Sequence, residues 1–251
     1  MKEIARAPTS SKYAYETVSN TRLIALLFSR VLLFAMFQAV IALALKSWHD
    51  SEGYWMLVAT MGNLVSILLL YLLYKKEGMK YLLMFKFDTS HRKKDLPLFL
   101  GLSLLLVPIA LIPNYLLSVW FWGELSYSYA LLFRPLPIFI NYILLIAFPL
   151  TIAFAELPTY FGYIMPRLEK SLGKKWLAML LPVLFLSIQH CCLPLIFDAP
   201  FIIYRGLMFL PFALLIGLVL LKRPRLLPYF VVLHGVMDMQ TVIMLIIETN
   251  K

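Results

Sequence analysis

Seven stretches of this chain, about 23–45, 54–74, 96–122, 136–165, 176–196, 201–221 and 227–247, are apolar over the length of a bilayer crossing. A helix needs about 20 such residues to cross the hydrocarbon core. In hydrocarbon the backbone must satisfy its own hydrogen bonds, and a continuous apolar run of that length does so as a helix. The chain therefore reads as an all-α, polytopic membrane helix bundle with seven transmembrane helices. The third run carries Pro108, Pro113 and Asn114, and a break there would make eight. Composition agrees: 62% of residues are hydrophobic and 14% charged, against about 45–50% and 25% in soluble domains. The first 22 residues are polar and mixed in charge, with neither the apolar core nor the small-residue site of a signal peptide.

The loops orient these spans. Of 23 basic residues, 18 fall in the N-terminal tail and in the segments after the second, fourth and sixth runs. Only Lys46, Arg134 and Lys251 fall on the other side, and Arg30 and Arg205 lie within spans. Basic residues crowd cytoplasmic loops, so the N-terminus is expected in the cytoplasm and the C-terminus outside. The same rule accounts for the net charge of +10 without a nucleic-acid partner. Lys75 to Lys94 reads as a solvated cytoplasmic loop near lipid heads. Cys191 and Cys192 are adjacent in an apolar run and suggest neither a disulfide framework nor a zinc knuckle.

Ionisable groups inside spans are expensive and mark functional sites by default. Among acids and histidines, Glu156, His190, His234 and Asp238 lie inside, all in the second half of the chain. The first half is expected to contribute none. At about 1.5 Å per residue they sit roughly 15, 21, 12 and 18 Å from the cytoplasmic face. Three helices thus bring polar groups to one layer, with His234 and Asp238 one turn apart on a shared face.

Those residue types suit hydrolysis. Glu156, with His190 orienting the same water, can act as general base toward a peptide carbonyl. His234, with Asp238 fixing its ring, can stabilise the developing oxyanion. A zinc site with Glu156, His190 and His234 as ligands is the alternative use of the same residues, and spacing does not separate the two. No cofactor is expected in the first reading.

At these residues the chain resembles the CPBP intramembrane protease family, which includes type II CAAX prenyl proteases and bacteriocin-processing relatives. The family's EExxxRG segment, often continuing to PRL, is similar to Glu156–Leu168, ELPTYFGYIMPRL, with Leu157 and Phe161 in place of the second Glu and the Arg. LSIQHCCLPLIF, from Leu186, is similar to the second motif and keeps its histidine as His190. His234-Gly-Val-Met-Asp238 matches the closing HxxxN/D. The resemblance covers about residues 140–245. It implies a metal-free glutamate-type protease in which Glu156 and His190 activate water while His234 and Asp238 form the oxyanion hole.

The chain accordingly divides into an N-terminal membrane region, 1–135, without recognisable motif, and a CPBP-like core, 136–248. The expected activity is cleavage of a membrane-embedded or lipid-anchored peptide in a prokaryotic plasma membrane. Leu157 and Phe161 motivate a second reading, a non-catalytic binding or immunity-type relative. A third is a proton-coupled transporter, although no inverted repeat is apparent.

Overall fold

The computed structural model describes residues 18–250; the tail carrying Lys2, Arg6 and Lys12, and the signal-peptide reading made on it, lie outside them. The described residues form ten α-helices: α1 (Asn20–Leu45), α2 (Trp48–Glu52), α3 (Trp55–Lys76), α4 (Arg92–Trp122), α5 (Leu125–Leu132), α6 (Ile138–Leu157), α7 (Met165–Leu172), α8 (Lys175–Gln189), α9 (Ala199–Lys222) and α10 (Leu227–Thr249). Seven helical segments are long and apolar enough to span a membrane, so this is a multi-pass membrane protein. No strand occurs among the described residues.

The third span does not break. The α4 helix runs continuously through Pro97, Pro108 and Pro113 and ends at Gly123, which adopts the left-handed conformation that caps helices. Most of its surface faces outward; Trp120, for example, is 83% exposed. A freed carbonyl on such a surface would meet only hydrocarbon, which favours keeping the remaining ladder intact. The fourth span extends past its expected end, because α6 runs without interruption through the π-helical turn Pro158–Ile164 into α7.

The bundle embeds polar side chains in an apolar interior and presents apolar side chains outward. Arg30, Gln38, Asn63, Asn141 and Gln189 are all fully buried, while Leu, Ile, Val and Phe side chains cover the periphery. Hydrophobic burial does not drive helix association in lipid, so close packing and interhelical hydrogen bonds carry it. Both ends of the bundle are tied. At the basic end Glu77 pairs with Arg167 and Tyr163, and Arg225 donates to Asp95 at 2.7 Å. At the other end Arg134 reaches Glu52 at 2.7 Å and Asn141 donates to Thr249 at 3.0 Å.

Two glycines set the helix approaches that matter most. A Cβ on Gly235 would lie 3.3 Å from both the Ala153 Cβ and the Pro149 carbonyl, so α10 lies directly against α6. A Cβ on Gly217 would lie 2.6 Å from Val183 and 3.2 Å from Phe161. Gly217→Val is therefore expected to lower stability by about 1–3 kcal/mol through overpacking. Gly101→Ala, where nothing lies within 4 Å, should leave thermal unfolding in detergent unchanged or slightly raised. Equal melting temperatures for the two variants would show that α8 and α9 do not need this approach.

Candidate functional site

The segment around Glu156 is built by two local features. Pro158 has no N–H to donate, and at this point the helix widens from α to π geometry. Widened turns of this kind recur beside functional residues. The wider turn directs Tyr160 toward α8, where its hydroxyl reaches the Gln189 side-chain oxygen at 3.3 Å. Leu157 and Phe161 point elsewhere, into the core formed with α8 and α9. The two positions that depart from the family pattern are thus core residues, and no polar group there is left unsatisfied.

The four sequence-predicted residues converge. His234 Nε2 lies 3.4 Å from Glu156 Oε1, and His190 Nε2 lies 4.0 Å from Oε2. The second distance is too long for a direct hydrogen bond and suits a bridge through one water. His190 opens a short 3₁₀ turn at the end of α8, and its Nδ1 meets the Leu186 carbonyl at 2.7 Å. That partner makes Nδ1 the donor and leaves Nε2 facing Glu156. Phe209 stacks on the His190 ring with centroids 3.6 Å apart. The loop beyond is pinned through Leu195, whose N–H donates to Gln38 and whose carbonyl accepts from Gln38 and Trp48.

The arrangement of His234 differs from the expected orientation by Asp238. Asp238 Oδ2 lies 3.0 Å from Nε2, the same nitrogen that faces Glu156. Nδ1 is buried and has no hydrogen-bond partner among the described residues. The i, i+4 spacing on one helix face brings Asp238 to the near side of the ring rather than behind it. His234 therefore stands between two carboxylates.

The first half of the chain does contribute a buried ion, contrary to expectation. Arg30 of α1 is 0% exposed, and its Nη2 lies 3.6 Å from Glu156 Oε2. It donates from Nε to the Gln189 oxygen at 2.6 Å and from Nη2 to Asn63 at 2.9 Å, and it approaches Ser66 at 3.4 Å. Gln189 in turn donates its amide to Glu156 Oε2 at 2.5 Å. Glu156, itself 1% exposed, is thus held from α1 and α8 on one side and faces the two histidines on the other. Gln189 and Asn63 escaped the sequence reading because they carry no charge. The available signal for Arg30 was its depth: ten residues into its helix, roughly 15 Å, it matches Glu156.

Glu156, His190, His234, Asp238 and Arg205 line one cavity of about 260 Å³, whose wall is completed by Trp55 and the Ser128 to Phe133 segment at the non-basic end. Among the described residues, no group of three His, Cys, Asp or Glu side chains is placed to hold a metal ion. Set against models of known families, curated proteins and solved structures, the chain matches none.

Proposed function

We propose that the protein is a glutamate-type intramembrane endopeptidase of the CPBP kind, acting on a membrane-embedded or lipid-anchored peptide in a prokaryotic plasma membrane. The observation that carries the reading is the placement of Glu156 between a positioning network, Arg30 and Gln189, and two histidine Nε2 atoms that face a cavity. A water between Glu156 and His190 gives a proton to the carboxylate as its oxygen bonds to the scissile carbonyl carbon. In this reading a ring N–H of His234 donates to the charge developing on the carbonyl oxygen. The proton held by Glu156 then passes to the leaving amine as the C–N bond breaks.

The resemblance to CPBP proteases supports this reading at Glu156, His190, His234 and Asp238. Arg30 supplies from α1 a guanidinium beside Glu156, which supports activity although Phe161 stands where the family has its arginine. The test is cleavage of a panel of membrane-spanning and lipid-anchored peptides by protein in proteoliposomes. The native protein should cut at least one peptide, and Glu156→Gln should not. Equal cleavage by both proteins would reject the reading, and no cleavage of any peptide by the native protein would favour the non-catalytic alternative.

A further inference from the structure

Three arginines are buried among the described residues: Arg30, Arg167 and Arg205. Arg30 has Glu156 beside it and Arg167 has Glu77. Arg205 has no carboxylate within ion-pair distance among the described residues. It is 3% exposed and lies six residues inside the start of α9, roughly 9 Å from the non-basic end. Its Nε donates to the His190 carbonyl at 3.3 Å and its Nη2 to the Leu193 carbonyl at 2.5 Å. Carbonyls satisfy donors, but they do not neutralise a charge held inside a membrane.

The position of Arg205 makes this charge useful. It lines the same cavity as Glu156 and His190. The Phe209 ring stacks on His190 at 3.6 Å, and the Arg205 Cζ lies 4.9 Å from that ring's centre. Together these distances place the guanidinium within about 8.5 Å of the imidazole. The cavity therefore has an acidic pole at Glu156 and Asp238, a cationic pole at Arg205, and apolar walls including Trp55, Phe148 and Phe212.

We propose that Arg205 forms a carboxylate-binding subsite, so that the cavity takes an apolar ligand carrying one carboxylate a short distance from the group presented to Glu156. The two carbonyl contacts hold the guanidinium in place, and Nη1 is the nitrogen they leave for the ligand. Recognition of a carboxylate by an ordered guanidinium requires no rearrangement and supplies the countercharge the site lacks. That this carboxylate belongs to a substrate rests on the peptidase reading; the subsite itself does not.

Binding is measured in phosphatidylcholine nanodiscs on the Glu156→Gln protein, so that hydrolysis cannot consume the probe. The probes are acetyl-Leu-Phe-Val-Leu as free acid, the same peptide as its amide, and sodium palmitate. The free acid should bind about 10–100-fold more tightly than the amide, the range expected for a charge-assisted hydrogen bond. Adding Arg205→Gln should abolish that preference, and Arg205→Lys should retain part of it. Equal binding of acid and amide overturns the subsite whether or not any Arg205 variant folds, as does a preference that survives Arg205→Gln. Arg205-dependent binding of palmitate but not of the acid peptide would keep the subsite and assign it to lipid rather than substrate. Loss of proteolysis in the native protein with the acid preference intact would reject the peptidase reading and leave the subsite standing.

Discussion

Arg30→Met should destabilise the protein by about 3–5 kcal/mol, because it removes one partner of a fully buried ion pair and leaves the other behind. Glu156 would keep the Gln189 amide but lose the guanidinium beside it, and Asn63 Oδ1 and Gln189 Oε1 would lose their guanidinium donor. For a chain of this size the loss corresponds to a fall in melting temperature of about 10 °C. Thermal unfolding in mixed micelles measures it directly. The diagnostic variant is the double substitution Arg30→Met with Glu156→Gln, which removes both charges. It should recover at least about 1–2 kcal/mol relative to the sum of the single losses, since residues in one network are not additive. Strictly additive losses would show that the guanidinium and carboxylate do not stabilise each other.

The second large effect is on rate. If Glu156 and His190 act on one water, His190→Gln should lower kcat by about 10²–10⁴-fold, the usual range for a positioned acid or base. Its Nδ1 is committed to Leu186, so Nε2 is the only ring nitrogen available to the cavity. Glutamine keeps a polar side chain but does not hold an acceptor nitrogen where the imidazole Nε2 would orient that water. Combining His190→Gln with Glu156→Gln should cost little more than the worse single variant, because residues acting as a unit are strongly non-additive. Independent, multiplicative losses in single-turnover measurements would mean that the two groups serve different steps.

The span pattern was readable because long apolar segments have one solution in a bilayer, and seven of the described helical segments follow it. Pro108 and Pro113 left an eighth span open because proline is a breaker in water, where a freed carbonyl finds solvent. In hydrocarbon there is no such solvent, and the helix continues through both prolines. Glu156, His190, His234 and Asp238 were legible because an ionisable residue in an apolar run is conspicuous whatever it touches.

Partnership was the part that the order of residues could not convey. Depth along each helix follows from counting at 1.5 Å per residue, but rotation about the axis and the choice of neighbours do not. Arg30 and Glu156 share a depth, yet only packing of α1 against α3 and α8 turns that arginine inward onto Gln189 and the carboxylate. Asp238 was correctly paired with His234 by the one-turn rule, but that the nitrogen it meets is the one facing Glu156 follows only once α10 is packed against α6. The sequence by itself determined an all-α membrane bundle and the ionisable residues that had to be hidden in it, because hydrophobic length and charge are local properties. Only the tertiary structure decided that Arg30 supports Glu156 while Arg205 stands without a countercharge among the described residues, because ion pairing depends on distances between helices that no single helix specifies.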